Sequence, residues 1–599
     1  MKLKKEEKLL PEFKPATFNE WKKLSEMSLK GKSLGQLIKE NYENIVTKPI
    51  YICEVVKKDE NFISNLPGFE PYLRGTGFIN KEWDILQKIP EPEPKSFNKE
   101  LKRNLSCGQN AIFLQIDEDS SEGLNPNKSS KNNAGRKGTS IFCPDDFSTA
   151  LKNINIENHP VYIKIKYSPA AVAAMFDAFL QKSTGYSSTS LRMTKTRDSS
   201  ASLRMTKGGF FYDPILTLAG DGFYPVSMED AFNEIAWIIT WANKDASTPL
   251  SMTEKGKLPR FAILTVNGNL FNDAGGNAVQ ELAFTFATAV EYIRELLIRG
   301  LNIDEIATRI SLSYSIGPNF FIEIAKLRAA RVLWAKIIKE FGGNEESMKA
   351  VIHAETCKWN KSKSSPYVNI LRATGEAMSA IMGGCNSLSV GWFDDAFGVP
   401  GKLAKRLARN TQIILKEECE ILDTADPAGG SWYVENLTAE LAKAAWDLFR
   451  KVEKEGGMLK ALKNGLPQKM LEEVRLKREK AISEGKDVLV GTNKYKSFDS
   501  AKDDNNIKPS ETPEIALKTV FGRRAKSYKA HIEKRNEKQV KLSLTKLNAE
   551  LKEKSPNSFD SIVEAASSGA TLGEIIEVLI KGRKGVKMEH PIKKLVLGC

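Results

Sequence analysis

Histidine is scarce in this chain: four among 599 residues, at 159, 353, 531 and 590. That limits any mechanism needing several imidazoles as metal ligands or general bases. Cysteine is little commoner. The seven thiols, at 53, 107, 143, 357, 385, 419 and 599, are odd in number, scattered and never in a C-x-x-C pair. This excludes a zinc ribbon and a disulfide framework, and it is the usage expected of a reduced, cytoplasmic protein. Long apolar runs are missing too; IAWIITWA (235–242) falls far short of the roughly eighteen residues a membrane span needs. The start, MKLKKEEKLLPEF, has charge but no apolar h-region, so it does not read as a secretory signal. No P-loop, dinucleotide fingerprint, H-E-x-x-H or nucleophile elbow occurs, and that removes the commonest short-motif chemistries.

What is present is a large globular chain. Hydrophobic residues make up 41%, enough for a sizeable core, and the length predicts two to four domains. The net charge of +14 permits nucleic-acid binding, but the cations are interleaved with acids. The densest cluster, RRAKSYKAHIEKRNEKQVK (523–541), is expected to be a solvated helix face. No nucleic-acid or membrane partner is expected; a basic balance suits an acidic partner chain or an anionic substrate.

From about 110 to 395, strand and helix signals alternate. AIFLQID (111–117), VYIKIKY (161–167), FAILTVN (261–267), ISLSYS (310–315), AVIHAET (350–356) and CNSLSVG (385–391) read as strands, and helical patterns stand between them. Repetition on this scale predicts an α/β fold with an eight-stranded βα (TIM) barrel; a doubly wound open sheet is the alternative. The stretch 119–139 reads as a polar surface loop. Residues 182–208, which hold SLRMTK twice, at 190–195 and 202–207, read as a disordered insertion. After 400 the pattern turns helical, with Thr438 as N-cap of the helix that Gly456 and Gly457 stop. Residues 485–512 read as loop. The expected domains are an extended, partner-wrapping arm over 1–95, the barrel over 96–400, a helical linker over 401–525 and a C-terminal helical remnant over 526–599.

Short motifs add little. DPAGGSWYVE (426–435) is a glycine turn beside aromatics and is expected to serve packing. His353, Glu355 and Cys357 alternate as if on one strand face, but no fourth ligand is evident and no metal site is expected. Ser311, Ser313 and Ser315 share a strand face. Small hydroxyls there would leave a channel inside a barrel, or else mark a strand with one solvated side.

Longer stretches carry more. YVNILRATGEAMSAIMGGCNSLSVGWFDDAFGVP, LARNTQIILKEECEILDTADPAGGSWYVENLTAELA, GPNFFIEIAKLRAARVLW and EAASSGATLGEI closely resemble the adenosylcobalamin-dependent acyl-CoA mutases, the methylmalonyl-CoA mutase family above all. The resemblance implies a barrel that takes a coenzyme A ester through its centre and a flavodoxin-like domain carrying cobalamin. It implies a radical isomerisation of succinyl-CoA and (R)-methylmalonyl-CoA, as in propionate metabolism. The cofactor supplies the hard chemistry, and the protein supplies orientation and shielding.

The departures from that family shape the expected role. Cobalamin-carrying chains have a D-x-H-x-x-G motif, and none of the four histidines here has Asp two before and Gly three after. Little chain follows TLGEIIEVL, against about 100 residues for a flavodoxin-like unit, so that domain is expected to be missing or truncated. Aligned on DAGG, the histidine of the family's glycine-tyrosine-histidine segment falls on Leu270. The tyrosine that lies over the substrate is replaced by Lys88, in a stretch that keeps Trp83, Ile85 and Gln87. A second histidine is replaced by Ser389, and the family's glutamine-threonine-serine-glycine-tryptophan segment becomes ETCKW (355–359). A leucine cannot donate a hydrogen bond to a thioester carbonyl. The resemblance therefore implies the small (beta, non-catalytic) subunit of a heterodimeric methylmalonyl-CoA mutase. No catalytic, cofactor or metal residue is expected on this chain, and adenosylcobalamin would be bound by a large catalytic partner. The alternative is an active acyl-CoA mutase barrel working with a separate cobalamin-binding chain.

Overall fold

The computed structural model describes residues 16–52, 65–78, 82–128, 134–183, 207–243, 261–397, 400–496, 514–553 and 558–592. The SLRMTK repeats, Lys207 apart, and most of the 485–512 stretch after Lys496 lie outside the described residues. The described residues up to 52 form a compact unit distinct from the rest. In it, helix Phe18–Ser28 is opened by a Thr17–Glu20 capping box and buries none of its residues, and Lys39–Glu40 pairs antiparallel with Val46–Thr47.

Beside the antiparallel pair Phe223–Tyr224 and Val586–Lys587, the described residues of the second unit hold eight strands in parallel pairing, in chain order. They are Asp84–Ile85, Ile112–Gln115, Val161–Lys164, Gly208–Phe211, the pair Phe261–Ala262 and Leu264–Asn267, Ile310–Ile316, Ile352–Thr356 and Ser387–Ser389, here called first to eighth. A helix follows each: Pro94–Ser106, Pro144–Ala150, Pro169–Ser183, Met228–Asn243, Ala278–Ile298, Phe320–Glu340, Val368–Met382 and Lys402–Glu417. All strand pairs in this series are parallel. The second, third and fourth strands and Phe261–Ala262 make one sheet. Leu264–Asn267, the sixth, seventh and eighth strands and the first make the other.

The fifth strand links the sheets. Thr265 N–H donates to Tyr212 O at 3.1 Å on one side, and Leu264 pairs with Ile310 on the other. At the far edge Asn110 joins first to second strand: its Oδ1 accepts from Ile85 N–H at 2.7 Å, and its Nδ2 donates to Trp83 O at 3.1 Å. An amide side chain thus supplies both a donor and an acceptor where the ladder lacks them. Neighbouring strands are consecutive in the chain, and the first lies beside the last. The arrangement of parallel sheets and covering helices is consistent with a βα-barrel-like domain. Close approach sets one residue firmly: Gly208 has φ +126°, and a Cβ there would sit 2.0 Å from Val161 O.

Several expectations need correction. The 119–139 stretch is not simply surface loop. Asp119, Ser120, Ser121 and Asn125 are buried, since helix Leu572–Ile580 lies against them; a Cβ on Gly123 would meet Ile576 at 2.6 Å. Local polarity cannot reveal cover that arrives 450 positions later. The helix assigned to Thr438 begins at Trp432, with Ser431 as its N-cap. Thr438 is inside it, where its hydroxyl accepts from Arg328 Nη1 at 2.9 Å. The strand Ile310–Ile316 has no solvated side: all seven residues are buried.

The C-terminal helices are docked onto the core. Helix Ser558–Ser568 packs on Pro169–Ser183 and Met228–Asn243, with Phe559 against Trp241 at 4.9 Å between ring centroids. Buried Arg524 pairs with Asp146 at 2.7 Å. Helix Trp432–Lys454 covers Ala278–Ile298 and Phe320–Glu340. A fully buried cation fastens it: Arg328 binds Glu435 at 2.9 Å and Asp426 at 3.0 Å, and Arg74 closes over both acids. DPAGGSWYVE supplies those acids and so helps to anchor the helix.

Arg328→Ala should leave Glu435 and Asp426 buried with Arg74 as their remaining ion-pair partner among the described residues, a cost of about 3 kcal/mol. Urea unfolding checks it; a loss below about 1 kcal/mol would show the cluster to be weakly coupled to folding.

Candidate functional site between the two sheets

Parallel register decides which side chains share the space between the sheets. Ser387 pairs with Asp84 and with His353, and His353 pairs with Ser313, so these lie on one face. Ser389, Glu355 and Ser315 form the next row. On the opposite sheet Phe113 aligns with Tyr162, and Lys164 with Phe211.

Contacts then cross from sheet to sheet. Phe211 of the fourth strand packs edge-on to His353 of the seventh, 4.8 Å between centroids. Phe113 and Tyr162 meet the same Phe211 ring at 5.3 and 5.9 Å, with Leu86 and Ala111 beside them. Tyr162 Oη donates to Asp84 Oδ2 at 2.6 Å, and His353 Nδ1 meets Ser387 Oγ at 2.8 Å. The result is a packed layer of three aromatic rings and an imidazole. Burial pulls the His353 pKa down to about 3, so the ring is neutral. Burial also raises the Asp84 carboxyl, and Tyr162 donates to it.

The serine strand is buried here. Ser311 Oγ is bonded to Thr265 Oγ1 at 2.7 Å, Ser313 Oγ donates to Asn269 Oδ1 at 3.1 Å, and all three serines are buried. Ser389 Oγ donates to Leu86 O at 2.8 Å, so its hydroxyl is engaged in joining eighth strand to first. Leu270 is half-buried, about 3.5 Å from where a Cβ on Gly220 would stand. Lys88 Nζ is hydrogen-bonded to Glu355. Gln87 is buried, with neither amide atom bonded to protein.

A charged layer lies beside this packed one. Glu355 is ringed by cations: burial alone would raise its pKa, but Lys88, Lys358 and Lys164 outweigh burial and hold it below the usual carboxylate range. Lys358 stands 3.8 Å from Glu355 and 3.9 Å from Asp273. Those two carboxylates raise its pKa. Burial raises the Asp273 carboxyl. A cavity of about 180 Å³ opens at this level, lined among others by Asp273, Glu355, Lys358, Trp359, Trp392 and Asp395.

The sequence set His353, Glu355 and Cys357 together, and the structure separates them. His353 lies in the aromatic layer and Glu355 in the charged one. Cys357 lies past the strand end, where its Sγ meets Asn360 Oδ1 at 3.2 Å beside the Lys361–Glu376 pair. No cluster of three His, Cys, Asp or Glu side chains suited to a metal occurs among the described residues. Sequence reasoning passed over Asp84, Tyr162, Lys164 and Asp273. The alternation in VYIKIKY held a signal for two of them, since it puts Tyr162 and Lys164 on one face.

Comparison with known proteins places this geometry. A family model described as Methylmalonyl-CoA mutase matches residues 40–584. The chain belongs to the methylmalonyl-CoA mutase family. It is 31% identical to the methylmalonyl-CoA mutase of Rhizobium meliloti (strain 1021), over 94% of this chain and 75% of that protein. It is also 31% identical to the Escherichia coli (strain K12) enzyme, over 94% and 74%. The mitochondrial enzyme of Homo sapiens is 31% identical as well, over 94% and 71%. The family is one of isomerases, and the match spans both sheets and the C-terminal helices. No helix among the described residues is long and apolar enough to cross a membrane.

Burial of neutral His353 fixes a pH dependence. Its folded pKa lies below the ordinary 6.5, so its contribution is fully present above about 6.5 and is lost as pH falls toward about 3. Across that window His353→Phe should flatten the fall of unfolding free energy by up to about 1.4 kcal/mol per pH unit. Urea midpoints between pH 7 and 4 measure this. Parallel curves for parent and variant would mean that the imidazole is not held neutral.

Proposed function

We propose that the eight strands close into a βα barrel and that this chain is the small, non-catalytic subunit of a heterodimeric methylmalonyl-CoA mutase. Its paralogous large subunit would hold adenosylcobalamin and the coenzyme A ester, and this chain would stabilise that partner in the cytoplasm. The observation that carries the reading is the filled interior. A coenzyme A ester needs an open path along a barrel axis, and Phe113, Tyr162, Phe211 and His353 occupy that space in mutual contact. Packing of this kind is what a barrel core adopts when it has no passage to keep.

The replaced positions support the same reading. Lys88 neutralises Glu355, Ser389 ties two strands together, and Leu270 offers no donor. Each is satisfied within the fold, and none is left to polarise a thioester.

Adenosylcobalamin, when bound, supplies a homolysable cobalt–carbon bond. None of the four histidines has the aspartate two before and the glycine three after it that mark the family's cobalt-ligating motif, so no residue of this chain matches that motif. On this reading the chain's own work is structural: it presents its strands, their aromatic layer and the docked helices to a catalytic paralogue.

Co-expression with a cobalamin-binding large chain tests this. The expected result is a one-to-one complex on size exclusion that carries cobalamin absorbance and interconverts the two thioesters, while the purified small chain does neither. Turnover by the isolated chain supplied with adenosylcobalamin would overturn the proposal in favour of an active barrel. A large chain equally soluble and active alone would remove the supporting role.

A further inference from the structure

Of the lysines around Glu355, one is unlike the others. Lys88 is hydrogen-bonded to Glu355, and Lys358 is shared between Glu355 and Asp273. Lys164 is the last residue of the third strand, two along from Tyr162 on the same face. Its side chain is exposed to the space between the sheets, yet it has no ion-pair or hydrogen-bond partner among the described residues. The floor beneath is apolar, formed by Tyr162, Phe113 and by Phe211, its own register partner. An ordinary surface lysine would stand in bulk water. Lys164 stands exposed over that floor, with Lys88, Lys358, Glu355 and Asp273 near enough to act on its charge.

We propose that Lys164 is a nucleophilic amine that captures a small 2-oxo acid as an imine at the mouth between the two sheets. The amine lone pair adds to the keto or aldehyde carbon to give a carbinolamine, whose hydroxyl leaves as water. The carbonyl oxygen and both amine hydrogens depart in that water; a C=N bond replaces C=O and nothing is oxidised or reduced. Water in the open mouth exchanges the protons. The carboxylate of such a ligand matches Lys88 and Lys358, which face the same space. The aromatic floor and the neighbouring cavity of about 180 Å³ limit the ligand to a few heavy atoms.

Electrostatics agree with this geometry. Desolvation, then Lys88, pull the Lys164 pKa down to about 8; Glu355 and Asp273 oppose the fall, and Lys358 adds to it. An amine partly neutral near physiological pH is a far better nucleophile than an ordinary lysine, which is almost wholly ammonium.

Glyoxylate with sodium cyanoborohydride, followed by site-resolved peptide mass spectrometry, tests the assignment on the full chain. Near neutral pH, Lys164 should be modified about tenfold or more faster than exposed Lys480. Its rate should rise with a midpoint near 8. Lys164→Arg should lose the fast site and melt like the parent. Modification no faster than at Lys480, or a midpoint near the ordinary 10.5, overturns the proposal. If Lys164→Arg does not fold, the rate-against-pH curve of the unaltered chain decides by itself. The result is independent of subunit role, since neither a partner nor cobalamin enters the measurement.

Discussion

Two parallel sheets that face one another must fill the space between them, and the residues chosen to fill it set the character of the whole molecule. Here Phe113, Tyr162 and Phe211 from one sheet meet His353 from the other, and Tyr162 reaches Asp84 across the same gap. Large aromatic rings bury much apolar area at little entropic cost, and they admit polar tips only where partners wait. Because Asp84 and Ser387 meet those tips, the layer carries an aspartate and a histidine without leaving either unsatisfied. The charged layer beside it follows from that closure: Lys88 and Lys358 can sit beside Glu355 and Asp273 where water still enters.

Outside the sheets, buried ions fasten the helices. Lys326 is fully buried between Glu281 and Glu323, and Glu281 also accepts from Ser315 N–H at 2.6 Å, joining helices to the sixth strand. Desolvation pushes the Glu281 pKa up to about 7 against the pull of Lys326. Such clusters add little net stability over apolar packing, but breaking one strands a charge in the interior. They therefore act as registration points. The Arg328 cluster fixes the linker helix Trp432–Lys454, and Arg524 with Asp146 fixes the C-terminal helices. A chain of this length has many ways to pack one amphipathic helix on another, and unique charge partners select one.

Much of the fold was legible in the sequence, because strand and helix periodicity are local. The runs read as strands coincide with the second, third, fifth, sixth, seventh and eighth strands, and the helix after GPN runs as its pattern implies. The first strand was missed, its residues falling in the expected N-terminal arm, since two paired residues leave no periodic trace. Thr438 misled because a threonine ahead of an apolar run looks like a cap, whereas its partner is Arg328, 110 positions earlier. The site was less legible. Lys88, Leu270 and Ser389 could be singled out by what they replace, but not by what they bind. His353 and Glu355 share a strand face in sequence, yet their environments, one dry and aromatic, the other wet and cationic, belong to partners on other strands.

The sequence alone determined the kind of elements, their alternation, the likeness to the mutase family and the scarcity of histidine and cysteine, since these depend on residue identity and on spacing along the chain. Only the tertiary structure decided that aromatic rings meet between the sheets, that Asp119, Ser120, Ser121 and Asn125 are covered and that Lys164 has no ion-pair partner among the described residues. Each of these depends on residues brought together from distant strands. Burial and Coulomb energies are set by distance in space, and that distance exists only once the chain has folded.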